Sequence, residues 1–180
     1  MIAPHSNGLT YISTEQSLAV VHQLRSLVQV ICVGANTIAI DQPKLSVRMG
    51  IDVSEQPMIV VLDPHNSVDM NWVQGALDNG RSILLFRSKE LDVHHPLLRV
   101  DDGLTIDKSN NWRYIFSVLH QMSIHGILVE GGAGIFSSIL SNGYFDELWV
   151  TKVPMVFGQD AVPFFPHSGV PGLSLSLIHI

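Results

Sequence analysis

Cysteine, charge and long apolar runs are all scarce in this chain of 180 residues. Cys32 is the single cysteine, which excludes an intrachain disulfide and a Cys-rich zinc site and fits a reducing, cytoplasmic setting. Only 14% of the residues are charged, and the net charge of −6 argues against nucleic acid bound through a broad basic surface. No apolar run reaches the length of a membrane span, and the N-terminus lacks the features of a signal peptide.

Apolar residues, at 46%, are abundant instead, so the chain is globular, and its length predicts one domain over residues 1–180. The acidic charge does not exclude a small phosphorylated ligand held by a few arginines. Nine histidines raise the question of a metal site. His94 and His95 are adjacent and point apart in an extended segment, and His120 and His125 have no cysteine or carboxylate at ligand spacing. We therefore predict no metal site.

One stretch, residues 127–136, combines a short apolar run with three glycines in four residues and the start of an amphipathic segment. This order predicts a buried strand, a tight turn and a helix over about 135–140. Glycine lets the backbone approach an anion closely, and the first N–H groups of a helix point at it. Glu130 stands at the end of the strand, where open α/β sheets bind ligands. The alternative is a tight turn whose glycines serve packing only.

Apolar runs of strand length alternate with segments of helical periodicity along the chain. This alternation predicts an α/β sheet that is parallel at first and has an antiparallel C-terminal edge. The predicted helices are 15–27, 68–77, 112–122 and 135–140. The predicted strands are 28–33, 57–62, 82–86, 97–100, 127–129, 145–153 and the alternating stretch 173–177.

A second strand end also carries small and polar residues suited to a ligand, in the segment Gly34-Ala35-Asn36-Thr37. Pro43 disfavours helix at the residue before it, so residues 38–48 are predicted to form an ordered loop. This loop brings Asp41, Lys44 and Arg48 close together. The alternative is a solvated surface loop with a local ion pair.

Three segments together resemble the signature of the riboflavin-pathway pyrimidine reductases. Residues 33–48 resemble V-G-x-x-T-x-x-x-D-x-P-x-L-x-V-R, Val129-Glu130-Gly131-Gly132 resembles V-E-G-G, and residues 146–158 resemble D-E-L…P…G. The resemblance is to the C-terminal reductase domain of RibD-type deaminase/reductases and their stand-alone relatives, and it covers residues 10–165. It implies a dihydrofolate-reductase-like fold, a three-layer α/β sandwich with a mostly parallel central sheet.

The resemblance also implies an activity: reduction of the ribosyl group of 5-amino-6-(5-phosphoribosylamino)uracil to ribityl by NADPH, in a homodimer. By resemblance, Arg25, Leu45, Arg48 and Glu130 contact the substrate, and Glu130 and Asp41 are catalytic. The implied cofactor contacts are Tyr11, Thr37, Asp41, Gly131, Gly132, Ala133, Gly134, Ile135, Phe136, Ser137 and Ser138.

Physical chemistry agrees with these assignments. A substrate phosphate needs fixed cations, and arginine binds it bidentately. Opening the aminal-like C1′ centre to an imine needs proton transfer, which a strand-end carboxylate such as Glu130 can supply. Hydride then moves to C1′, and the protein aligns the two rings and excludes water.

The sequence also departs from the family pattern. The family begins with a strand resembling K-x-A-x-S-x-D-G-x-I-A, of which only the end resembles Met1-Ile2-Ala3 here. The resemblance therefore predicts a chain that lacks the family's first strand. Two other functions stay open: a related reductase acting on another pyrimidine or pteridine, and a catalytically degenerate domain that binds a nucleotide or a partner without turnover.

Overall fold

The computed structural model describes residues 14–105 and 111–151, in which helices and strands largely alternate. The helices are α1 (Glu15–Ser26), α2 (Ala35–Asp41), α3 (Met70–Asp78), α4 (Asn111–Gln121) and α5 (Ala133–Ser141). The strands are β1 (Val30–Gly34), β2 (Met58–Asp63), β3 (Ile83–Arg87), β4 (Leu98–Asp101) and β5 (Ile127–Val129). In the part of the chain that the structure describes, no helix is long and apolar enough to cross a membrane.

The five strands form one parallel sheet in the order β4-β3-β2-β1-β5. The chain builds the sheet outward from β1 through β2, β3 and β4, and then returns to place β5 on the other side of β1. This arrangement confirms the predicted α/β class with a mostly parallel sheet. It also creates a point between β1 and β5 where the direction of winding reverses.

Alternate residues of the three central strands pack on opposite faces of the sheet, so both faces are buried. One face, with Cys32, Val60 and Leu84, packs against α4 and α5. The other face, with Ile31, Val61 and Leu85, packs against α2 and α3. These are the three layers that the resemblance implies, and the double burial explains why β1, β2 and β3 are continuous apolar runs. Burial raises the pKa of the Cys32 thiol to about 12.

The predicted loop at residues 38–48 is wrong at its start, because α2 continues to Asp41. Pro43 restricts only the residue that precedes it, so it ends the helix at Gln42 rather than excluding a helix before it. Gln42 adopts a left-handed conformation with φ of 40°, and its N–H bonds to the carbonyl of Ile38. The irregular segment that carries Lys44 and Arg48 therefore begins after the helix.

The predicted strand at 145–153 is not present in residues 145–151, which carry no regular structure. The predicted strand at 173–177 lies outside the described residues, as does Tyr11. An antiparallel C-terminal edge therefore stays a prediction.

A buried ion pair joins the carboxyl ends of β2 and β3, where Asp63 and Arg87 face each other in the strand register. Asp63 is fully buried, and its Oδ2 lies 3.4 Å from Nε of Arg87. The carboxylate also accepts the backbone N–H groups of Ser67 at 2.7 Å and Val68 at 3.1 Å. These bonds fix the turn that leads from β2 toward α3.

We predict that Asp63→Asn lowers the free energy of unfolding by about 3 kcal/mol, because it leaves the buried Arg87 guanidinium without its carboxylate. Urea unfolding with a constant m-value would measure the loss. Ser67→Ala is the matched control, since it removes one hydroxyl bond to the same carboxylate and should cost about 1 kcal/mol. Equal losses in the two variants would show that the charge pair contributes nothing beyond a hydrogen bond.

Candidate functional site

The reversal of winding places the carboxyl ends of β1 and β5 side by side. Cys32 pairs with Val129 in the strand register, and the N–H of Glu130 donates to the Cys32 carbonyl at 2.8 Å. Open α/β sheets bind ligands in the crevice outside the strand ends at such a point. Both predicted ligand segments, the one after β1 and the one after β5, start here.

Thr37 of α2 lies against the glycine turn that follows β5. A Cβ atom on Gly131 would lie 3.2 Å from Thr37 Cγ2, and one on Gly132 would lie 3.1 Å from Thr37 Oγ1. The two glycines also have φ of 112° and 77°, a region that other residues rarely adopt. The turn therefore requires glycine both for its conformation and for the close approach of Thr37, and the three predicted cofactor contacts lie together.

The N-terminus of α5 is open to an anion. Gly132 is the N-cap, it provides no side-chain cap, and its carbonyl accepts the N–H groups of Ile135 and Phe136 at 3.1 Å each. The first N–H groups of a helix have no partner within it and carry its positive dipole end. Ala133 and Gly134, which supply them, are exposed.

Two of the predicted cofactor contacts in α5 also support packing. Ser137 is half-buried, and the hydroxyl of Ser138 accepts the indole N–H of Trp112 in α4 at 2.9 Å. Ile135, three residues before Ser138, packs close to Gly34 at the end of β1, where an added Cβ would lie 3.0 Å from Ile135 Cδ1. These contacts fix the helix start relative to the sheet.

Arg25 and Glu130, both predicted to contact the substrate, form a bidentate ion pair. Nε of Arg25 donates to Oε1 of Glu130 and Nη2 donates to Oε2, each at 2.6 Å. Their side chains are 10% and 21% exposed. Nη1 of Arg25 donates to the carbonyl of Ser46 at 2.9 Å, so one guanidinium joins α1, the turn after β5 and the loop after α2.

Residues 44–48, which we call the 44–48 segment, are held mainly by side chains from elsewhere in the chain. Arg81 donates to the carbonyls of Lys44 at 3.0 Å and Leu45 at 2.8 Å. The amide of Gln56 pairs with Val47, accepting its N–H at 2.8 Å and donating to its carbonyl at 3.2 Å. The segment is thus an ordered loop, as predicted, although it makes no strand or helix.

Leu45 and Arg48 occupy different environments in this segment. Leu45 is 2% exposed and packs in the core beside α2. Its backbone is left-handed, with φ of 47°. The side chain of Arg48 is exposed. Asp41 is half-buried at the end of α2, four residues from Thr37, which places the two on one face of the helix. Among the described residues, no ion pair links Asp41 to Lys44 or Arg48.

His22 lies among the charged residues of the site. It is 4% exposed on α1, and its Nδ1 accepts the backbone N–H of Arg48 at 3.1 Å. Burial lowers the pKa of His22, and the positive charges of Arg25 and Arg48 lower it further, whereas Glu130 opposes them. The imidazole is therefore neutral at neutral pH, as its role as an acceptor requires.

Sequence patterns did not indicate His22, Gln56 or Arg81. His22 stands three residues before Arg25, so helical spacing alone would have placed both on one face of α1. Gln56 and Arg81 have no such signal, because Arg81 contacts carbonyls 24 to 37 residues away along the chain. No group of three or more His, Cys, Asp or Glu in residues 14–105 and 111–151 could hold a metal ion.

Comparisons with known proteins place the chain in one family. The chain is 30% identical over 195 residues to the 2,5-diamino-6-ribosylamino-4(3H)-pyrimidinone 5′-phosphate reductase of Debaryomyces hansenii, covering 96% of this chain and 76% of that protein. It is 29% identical over 158 residues to the riboflavin biosynthesis protein RibD of Aquifex aeolicus, covering 88% of this chain but only 44% of that protein.

A solved structure shares the fold. RibD of Acinetobacter baumannii superposes with a TM-score of 0.72 at 19% identity, covering 98% of this chain and 47% of that one. The RibD C-terminal domain family matches residues 2–180. The chain therefore belongs to the RibD C-terminal domain family.

Proposed function

We propose that this chain is a reductase of riboflavin biosynthesis that uses NADPH to reduce the ribosyl group of 5-amino-6-(5-phosphoribosylamino)uracil to ribityl. The family and the name of the Debaryomyces hansenii relative support a reductase with a nicotinamide cofactor and a phosphorylated pyrimidine substrate. NADPH as the specific cofactor and a homodimer follow from the sequence resemblance, and a cytoplasmic location follows from the single cysteine.

The observation that carries the proposal is that the open N-terminus of α5 and the fixed carboxylate of Glu130 lie together at the carboxyl ends of the strands. Gly131 and Gly132 form a turn without side chains that lies against Thr37 and leads into the start of α5. A glycine turn before a helix N-terminus suits the phosphates of a dinucleotide. Glu130, which is paired with Arg25, follows β5 directly and precedes the glycine turn. A substrate beside Glu130 would therefore also lie beside the cofactor.

The chain's own residues divide the work as follows. Arg25 holds both oxygens of Glu130, so the carboxylate has a fixed orientation. Glu130 moves the proton that opens the C1′ centre of the substrate to an imine. NADPH, when bound, supplies the hydride that reduces C1′. Arg48, as an exposed guanidinium on an ordered segment, binds the substrate phosphate, and Asp41 extends the cofactor contact one helical turn beyond Thr37.

We predict that Gly132→Asp weakens NADPH binding at least tenfold, or by about 1.4 kcal/mol, because it sets a carboxylate against the cofactor phosphates. Titration of the purified protein with NADPH, followed by nicotinamide fluorescence, measures the dissociation constant. Gly80→Asp is the matched control: its φ of 72° is close to the 77° of Gly132, so the backbone strain is similar. Gly80 lies in the turn before β3, at the amino ends of the strands, whereas Gly132 lies at their carboxyl ends.

Three outcomes of this titration, combined with a turnover assay, separate the candidate functions. Equal weakening in both variants would contradict the cofactor site. Binding without turnover of the phosphorylated pyrimidine would favour the degenerate domain. Turnover with another pyrimidine or a pteridine, but not with this substrate, would favour the related reductase.

We predict that Glu130→Gln lowers kcat at least about a hundredfold and leaves NADPH affinity unchanged, because it removes the group that moves the proton. Arg25→Lys keeps the charge but loses the planar fork, so we expect a smaller decrease. If Arg25 acts through Glu130, the double variant should be no slower than Glu130→Gln alone. Steady-state kinetics measures all three. Additive effects would show that the two residues act independently.

A further inference from the structure

We infer that His22 is a positioning residue that fixes the backbone of Arg48, so that the Arg48 guanidinium meets the substrate phosphate; the inference rests on the proposed function. The bond between Nδ1 of His22 and the N–H of Arg48, at 3.1 Å, is the contact that carries it. His22 itself need not touch the substrate.

The other side chains that hold the 44–48 segment do not reach Arg48. Arg81 holds Lys44 and Leu45, Arg25 holds Ser46 and Gln56 holds Val47. Among the described contacts, the backbone of Arg48 is held only by His22. Its position therefore depends on this one histidine more than on the rest of the network.

The chain turns away immediately after Arg48. Met49 and Gly50 follow with φ of 63° and 76°, and both are exposed. Without the bond to His22, the ordered part of the segment would end at Val47, and Arg48 would join the exposed turn. An arginine on a free turn must lose more conformational entropy when it binds a phosphate, which weakens binding.

The groups that face His22 come from three elements: Arg25 from α1, Arg48 and the carbonyl of Ser46 from the 44–48 segment, and Glu130 from the turn after β5. A protonated Nδ1 could not accept the Arg48 N–H, and the charged imidazole would be repelled by the guanidinium groups of Arg25 and Arg48. Because burial and the two arginines lower the pKa of His22 below its ordinary value, the bond is intact at neutral pH and is lost as pH falls through that lowered pKa. The lowered pKa of His22 therefore predicts weaker substrate binding at acidic pH.

The test compares two substitutions of His22 by steady-state kinetics with the phosphorylated pyrimidine and NADPH. His22→Leu fills the site but accepts no bond, and it should raise the substrate KM about tenfold, with kcat and NADPH affinity within about twofold. His22→Asn supplies an amide oxygen near the position of Nδ1, and it should restore KM to within about threefold of wild type.

The pH profile provides a readout that loss of packing would not move. As pH falls through the lowered pKa of His22, the KM of wild type should rise more steeply than that of His22→Asn, whose amide oxygen does not titrate. The remaining slope of His22→Asn reports the substrate phosphate, which itself titrates near pH 6. Identical profiles in the two proteins would overturn the inference. So would an unchanged KM in His22→Leu, or a loss of kcat equal to the gain in KM.

Two further measurements keep the test decisive. If His22→Leu does not fold, the profiles of wild type and His22→Asn decide alone. If folded wild type does not turn over the substrate, the proposed function fails separately, and calorimetric binding of ribose 5-phosphate replaces KM. We then expect weaker binding in His22→Leu, with His22→Asn close to wild type. Equal binding by all three proteins would overturn the inference.

Discussion

The bidentate pair between Arg25 and Glu130 is the interaction on which the site depends, because it helps to join three segments that, among the described residues, share no backbone hydrogen bonds. Arg25 comes from α1, Glu130 follows β5, and the remaining guanidinium contact goes to Ser46 in the 44–48 segment. Both side chains are largely withdrawn from water, so removing either one leaves the other charge poorly solvated. The pair therefore sets where the helix, the strand end and the loop lie relative to one another, and it fixes the carboxylate before any ligand arrives.

The sheet topology explains why these segments can meet. The winding reverses beside β1, so the turns after β1 and β5 start side by side at the end of the sheet where open α/β sheets bind ligands. Close packing also favours glycine at these positions: a Cβ on Gly131 or Gly132 would press against Thr37, and a Cβ on Gly34 would press against Ile135. The glycines therefore serve packing, and this role is compatible with the ligand contact that we propose for the same turn.

Sequence patterns predicted the sheet well because β1, β2 and β3 are buried on both faces, which leaves an unmistakable apolar run in each. They failed where structure is decided by distant contacts. Nothing local to Gln42 reveals that Pro43 ends a helix instead of preventing one, and nothing in 145–151 reveals that this apolar stretch forms no strand. The carboxylate and glycines of the candidate site follow a strand end, which is why the sequence indicated them as candidates. Gln56 and Arg81 bind backbone groups that are remote in sequence, so no local spacing pattern indicates them.

In the 44–48 segment, side chains from elsewhere in the chain replace the backbone hydrogen bonds of regular structure, and this has a cost in buried charge. Arg81 is 7% exposed, burial lowers its pKa, and its guanidinium is compensated by carbonyls of Lys44, Leu45 and Pro57. A strand would have satisfied the same backbone with less buried charge, and its pleat would also place Leu45 and Arg48, three residues apart, on opposite faces. What the supporting side chains allow in addition is the left-handed φ of 47° at Leu45, a conformation that a regular strand does not contain. An irregular loop can thus present a fixed cation, provided that other side chains replace the hydrogen bonds that regular structure would supply.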